Sequence, residues 1–235
     1  MYTDTGSGGF FLGHGEKTQT APIIRATQNQ IRDVVQPALV RALAQGGQSE
    51  FEIYALHALA KIRGIPLPEG IAEFSEVVRP FLRSANQYVS EKAVLALGIR
   101  GDDSFAPWLI SILTDISQGR DLVGRSIVGD RIRAFAAYGL GLIGERTRDH
   151  STKVAIYDAL MAALPAERDE VQAACLLSLG LLPMPNGEAF VEGGDVFRGK
   201  TRMDQVLAIV AFFEDTAQSY LAQDRKSTRL NSSHT

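Results

Sequence analysis

At 235 residues and 45% apolar content, the chain can supply one large core or two small ones. Its formal net charge of -3 lacks the clustered Lys and Arg that a phosphate backbone demands, so no nucleic-acid partner is expected. The one cysteine, Cys175, excludes an intrachain disulfide, and no apolar run approaches the roughly 20 residues that span a bilayer.

Residues 1–22 are Gly-rich, with Gly6, Gly8, Gly9, Gly13 and Gly15, and read as a loop. They lack the charged and apolar regions of a signal peptide, but Met1 is compatible with an internal position, so no compartment follows. Residues 23–223 read as one helical array. A first helix over 26–44 carries Ile31, Val34, Val35, Leu39 and Leu43 and stops at Gly46-Gly47. A second, over 50–63, places Phe51, Ala55, Leu59 and Ile62 on one face and stops at Gly64. Residues 71–84 and 88–99 form the next pair.

A third pair opens over 104–116 and closes over 132–144, separated by an insertion, Ser117–Asp130, too long for a tight turn and read as a loop. A fourth pair covers 151–164 and 169–182, broken by Pro183 and Pro185. Residues 186–199 read as a Gly-rich loop. A last helix over 201–221 carries Met203, Val206, Leu207, Val210 and Phe213 on one side, as the first half of a fifth pair. The pairs thus span about 26–63, 71–100, 104–144 and 151–182, with a partial unit at 200–222.

The second helices align without gaps: FEIYALHALA from Phe51, VSEKAVLALG from Val89, IRAFAAYGLG from Ile132 and VQAACLLSLG from Val171, spaced 38, 43 and 39 residues apart. Phe51, Val89, Ile132 and Val171 form an apolar column, and Leu59, Leu97, Leu140 and Leu179 an unvarying one. Three columns hold small residues: Ala55, Ala93, Ala136 and Cys175; Ala58, Ala96, Gly139 and Ser178; Ala60, Gly98, Gly141 and Gly180. Glycine is poor in an isolated helix, so these columns make sense where a second backbone approaches closely. Three of the first helices share a proline, Pro37, Pro80 and Pro107, expected to kink or restart the helix.

This period and helix-pair grammar resemble HEAT repeats, α-solenoid units of about 40–47 residues. The third unit, IRAFAAYGLG, is most similar to the family's hydrophobic–Arg–x–x–Ala–Ala–x–x–Leu–Gly helix. Its arginine is present as Arg133 alone, with Glu52, Ser90 and Gln172 at the matching positions. The resemblance implies an all-α, right-handed superhelix of four helix pairs and half a fifth. It also implies a non-catalytic scaffold for another protein, needing no cofactor. The alternative it leaves is an accessory or regulatory part of an enzyme, such as the HEAT-like lyases that attach pigments.

One motif points to other chemistry. Gly194-Asp-Val-Phe-Arg-Gly199-Lys200-Thr201 matches the phosphate-loop pattern GxxxxGK[ST], in which backbone N–H groups cradle phosphates, Lys200 reaches the outer ones and Thr201 holds magnesium. Residues 186–193 make a poor buried strand to deliver such a loop, so a connector ending at a helix N-terminus is preferred. His14, His57, His150 and His234 lack metal spacing, and His57 falls in a half-buried packing column. Cys175 sits in a small-residue column and reads as an inert buried thiol. Trp108 reads as packing. Glu188, Glu192 and Asp195 lack calcium-loop spacing. Within the insertion and just beyond it, Arg120, Asp121, Arg125, Asp130 and Arg131 form a mixed-charge candidate surface for a protein partner, since insertions project from one face of a repeat array. The tail Asp224–His234, DRKSTRLNSSH, resembles a translated sequencing adapter, so residues 224–235 are expected to be non-native and the natural protein longer.

Overall fold

The computed structural model describes residues 26–46, 49–165, 169–186, 189–192, 195–198 and 201–232, without the side chains of 189–192, 195–198 and 219–232. The Gly-rich segment 1–22 lies outside them. The described residues are helical apart from one two-stranded ribbon and the connectors. None of their helices is long and apolar enough to cross a membrane. They divide into two compact units, within residues 1–78 and 79–235.

In the first unit, helix α1 runs from Gln28–Gln30 through a π-helical turn, Ile31–Val35, into Gln36–Gln45. Thr27 opens it with a reciprocal cap, its hydroxyl accepting from the Gln30 N–H while the Gln30 side chain accepts from the Thr27 N–H. The π turn has a cause in Pro37, which can donate no N–H and crowds the carbonyl four residues back. The ladder widens, with the Gln36 N–H donating to the Ile31 carbonyl, and resumes with Pro37 in the first turn of the next segment. α1 packs on α2, Ser49–Lys61, burying Leu43, Ile53, Ala55, Leu56, Leu59 and Ala60. Phe51, by contrast, is 52% exposed and Ala58 is exposed, although the repeat alignment places both in packing columns. With Tyr54 they recur at i, i+3 and i+7 on one face of α2. Periodicity says which residues share a face, not whether a neighbour covers it.

Helix α3, Phe74–Leu82, carries the chain into the second unit, with Pro80 inside it two residues before its end. There follow α4, Gln87–Arg100; a 3-10 turn, Asp103–Phe105; α5, Ala106–Leu113; α6, Ser117–Val123; α7, Asp130–Arg146; α8, His150–Ala163; and α9, Asp169–Leu181. Asn86, Asp102 and Asp149 cap α4, the 3-10 turn and α8 with their carbonyl or carboxylate oxygens. Pro107 opens α5 as expected for a helix that restarts at proline.

The second helices α4, α7 and α9 pack side by side in that order. Their contacts use the small-residue columns. A Cβ added to Gly98 would stand 2.3 Å from the Gly139 Cα, and one added to Gly141 would stand 2.8 Å from the Ser178 Cβ. The Ser178 hydroxyl donates to the Ala137 carbonyl across the second contact at 2.8 Å. Between these approaches Val89, Ala93, Leu97, Ile132, Ala136, Leu140, Val171, Cys175 and Leu179 are each at most 3% exposed. Gly180 departs from its column: it is exposed, and an added Cβ would meet nothing within 4 Å.

The position that varies as Ser90, Arg133 and Gln172 has one task. The Ser90 hydroxyl donates to the Leu82 carbonyl, Arg133 Nε to Leu113 and Gln172 Nε2 to Leu164, at 2.8, 2.7 and 2.9 Å. Leu82 and Leu113 end α3 and α5, and Leu164 follows the last residue of α8. Each donor satisfies a carbonyl left open where an earlier helix stops.

Two connectors and the last helix differ from the sequence expectation. The insertion 117–130 is not wholly loop, because Ser117–Val123 forms α6, ended by Gly124 at φ 64 in the left-handed region. Part of the Gly-rich segment 186–199 is an antiparallel ribbon, β1 Ala189–Glu192 against β2 Asp195–Arg198, pairing Phe190 with Phe197 and Val191 with Val196. The last helix, α10, runs from Arg202 through Ser232, past the expected end near Leu221, where no glycine or proline stops it. Its apolar stripe is uncovered, with Met203 64%, Leu207 59% and Phe213 53% exposed.

Candidate functional site

The insertion is held by one carboxylate that sequence reading passed over. Asp115 stands just before α6 at φ 51, a left-handed conformation that aspartate tolerates better than most residues. It accepts from Arg120 Nε at 2.9 Å, from Arg120 Nη2 at 2.8 Å and from the Val128 N–H at 2.9 Å. One side chain thereby ties the start, middle and end of the insertion together. The Arg120 hydrogen bonds hold the Asp115 carboxyl below its usual pKa; burial opposes them, and the Val128 amide adds to the lowering. Gly119 seats α6 directly on α5, since an added Cβ would lie 2.1 Å from the Ser111 carbonyl oxygen.

The insertion is also fastened to the end of α3. Arg83 Nη2 donates to the Asp121 carbonyl at 2.9 Å, and Arg125 Nη2 donates to the Ser84 carbonyl at 3.2 Å. Arg131 turns to α4 instead, with Nε and Nη2 donating to the two Glu91 oxygens at 2.8 and 3.1 Å. The Glu91 side chain is 2% exposed, and Gln87 donates to it as well. Asp130 is the first residue of α7. The five residues singled out as a partner surface thus have different structural partners. Arg120, Arg125 and Arg131 are engaged in holding the insertion and α7 in place.

Of the five, Asp121 alone lines the groove beside the insertion. The groove is open, with a volume of about 380 Å³, and is formed by Arg79 of α3, Arg83 just after it, Trp108 of α5, and Ser117, Gln118, Asp121 and Leu122 of α6. Trp108 is half-buried and meets Phe105 edge-on at 5.6 Å between ring centroids. The Arg79 guanidinium carbon lies 4.8 Å from the Trp108 ring centroid. Arg79 and Arg83 are one helical turn apart, so a shared face was legible from their spacing. No feature of the sequence placed Trp108 beside them.

Of the phosphate-loop match, the described residues do not form a phosphate cradle. Gly194, Gly199 and Lys200 lie outside the described residues. Asp195–Arg198, between the two glycines, is an extended strand paired antiparallel to β1, where a phosphate cradle needs a backbone that curls its N–H groups inward. Thr201 is spoken for as well: it is 6% exposed, its N–H and hydroxyl donate to Asp204 Oδ2, and its hydroxyl accepts from the Asp204 N–H. That is a helix cap for α10, not a magnesium ligand.

His57 is half-buried and Cys175 is fully buried, while His14, His234 and Glu188 lie outside the described residues. Glu192 and Asp195 are backbone register partners at the end of the ribbon. Among the described residues no three His, Cys, Asp or Glu gather where a metal ion could be held. No family model, no curated protein and no solved structure matches the chain.

Proposed function

We propose that this chain is a HEAT-like α-solenoid acting as a non-catalytic scaffold, presenting a surface to another protein. One observation carries the reading: α4, α7 and α9 stack at equivalent small-residue positions, Gly98 on Gly139 and Gly141 on Ser178. Repeat units that bury their faces against one another leave outer faces and inter-helix insertions for recognition. The groove beside the insertion is open and lined by residues of three helices. The ribbon within the GxxxxGKT stretch weighs against nucleotide binding as the role of that segment.

The test is affinity capture with the full chain, followed by reconstitution with each captured protein after purification and by hydrogen exchange on the complex. A stoichiometric complex that protects a continuous surface of the second unit is the expected result. Catalytic turnover by the chain or a longer clone, lost on substitutions within 187–201, would overturn the scaffold reading.

A further inference from the structure

Arg79 and Arg83 differ from two other arginines of the second unit. Arg120 and Arg131 each hold a carboxylate bidentately, at Asp115 and Glu91. Among the described residues, Arg79 has the Trp108 ring as its partner and Arg83 the Asp121 backbone carbonyl. Neither makes an ion pair there. Two cations one helical turn apart thus line a groove with no carboxylate bound to them.

We infer that this groove is a docking site for an acidic segment of a partner protein, in which Arg79, stacked on Trp108, receives a Glu or Asp carboxylate. This inference rests on the scaffold reading and gives it a location and a ligand chemistry.

Stacking is what makes Arg79 suitable. A guanidinium lying over an indole keeps its in-plane N–H edge free, and that edge matches the two oxygens of a carboxylate. The ring also restricts the arginine before binding, which lowers the entropy lost when the contact forms. Arg83 is tethered differently, by its Nη2 hydrogen bond to the Asp121 carbonyl, with its Cγ 3.3 Å from where a Gly124 Cβ would stand. The neighbouring Ser117 and Gln118 offer hydrogen bonds to a peptide backbone, and Leu122 an apolar floor. Asp121 decides between anions. Asp121 lines the groove, and its negative charge repels a dianionic phosphate more than a single carboxylate, so an acidic peptide fits better than a phosphopeptide.

Trp108 is the chain's single tryptophan, so its fluorescence reports on this groove without a label. The experiment titrates the full chain with three short peptides, of alternating Glu and Leu, Lys and Leu, and phosphoserine and Leu. Arg79→Gln and Arg79→Lys variants are run beside the wild type, each with a circular-dichroism melt. The Glu peptide is expected to change Trp108 emission and saturate, and the Lys peptide to leave it unchanged. Arg79→Gln should weaken binding about tenfold. Arg79→Lys should weaken it too, because a lysine keeps the charge and loses the fork.

Equal affinity in wild type and Arg79→Gln, or in wild type and Arg79→Lys, overturns the proposal. So does a phosphoserine peptide that binds more tightly than the Glu peptide. The scaffold reading fails separately. A purified partner whose exchange footprint lies away from α3 and α6 removes the groove and leaves the scaffold. A peptide response with no protein partner removes the scaffold and leaves the groove.

Discussion

Replacing Gly98 with alanine puts a methyl carbon 2.3 Å from the Gly139 Cα, 2.7 Å from its carbonyl oxygen and 2.9 Å from its carbonyl carbon. All three are backbone atoms, so no side chain can rotate away. Ordinary carbon contacts begin at about 3.5 Å, so α4 and α7 must separate by roughly 1 Å locally. A gap of that size forfeits a quarter to a half of the dispersion energy of the surrounding contacts. Overpacking of this kind costs about 1–3 kcal/mol, and a backbone clash belongs at the upper end. Alanine returns about 1 kcal/mol through its better helix propensity, leaving a net loss of about 2 kcal/mol. The control is Gly180→Ala, which occupies the same alignment column but meets nothing within 4 Å. It should stabilise the protein by about 0.5–1 kcal/mol. Urea unfolding followed through Trp108 fluorescence, which reports on the second unit, measures both variants. If Gly98→Ala is as stable as wild type, or if the two variants move together, the account of the column as a close-packed helix interface is wrong.

Asp115 should show two separable costs. Asp115→Gly removes the carboxylate and relieves the left-handed backbone, while Asp115→Ala removes it and leaves alanine at φ 51, so the alanine variant should be less stable by about 1 kcal/mol. Both should speed hydrogen exchange and proteolysis within 117–128, and an insertion as protected as in wild type would refute the role given to Asp115. At Asp149 the hydroxyl of Thr152, then that of Ser151, lower the carboxyl pKa to about 2, despite some burial in the other direction. A depressed carboxylate contributes its full stabilisation above the unfolded value near 3.8 and loses it as pH falls through about 2. Asp149→Ala should therefore cost about 1 kcal/mol at neutral pH, with the gap from wild type narrowing below pH ~4. A gap constant from pH 7 to pH 2 would show that the cap does not depend on the charge.

Most of the helices were legible because apolar residues at helical spacing and the Gly and Pro stops agreed along the chain. The close approach of α4, α7 and α9 was legible too, because Gly98, Gly139 and Gly141 have no other reason to sit inside helices. Gly180 shows the limit of that inference: a column tells what a neighbour would require, and Gly180 has no neighbour within 4 Å. The ribbon at 189–198 carried a usable signal, since Gly193-Gly194 separates two short runs containing Phe and Val, a hairpin pattern outweighed by the glycine count. The candidate site was less legible. Asp115 acts through contacts to residues 120 and 128, within an insertion whose path no periodicity describes. The groove joins α3 to α5 and α6 across some 30 residues of sequence, a meeting set by packing alone.

The column of Ser90, Arg133 and Gln172 shows how identity can mislead where chemistry is constant. Read as letters, the arginine of the resembled pattern is missing from two of these three units. Read as donors, a hydroxyl, a guanidinium and an amide each reach a carbonyl at or just past the end of an earlier helix, at 2.8, 2.7 and 2.9 Å. Reach accounts for the choice in one unit: α3 stops at Leu82, so short Ser90 suffices, and its hydroxyl is buried with the bond. Arg133→Gln should then keep most of the stability, because an amide performs the task at Gln172. Arg133→Leu should lose about 1–2 kcal/mol, because it leaves the Leu113 carbonyl without its donor. Equilibrium unfolding of the two variants separates donor from charge. If glutamine costs as much as leucine, the charge of Arg133 is what matters, acting in part on Asp115, and the common-donor account of the column fails.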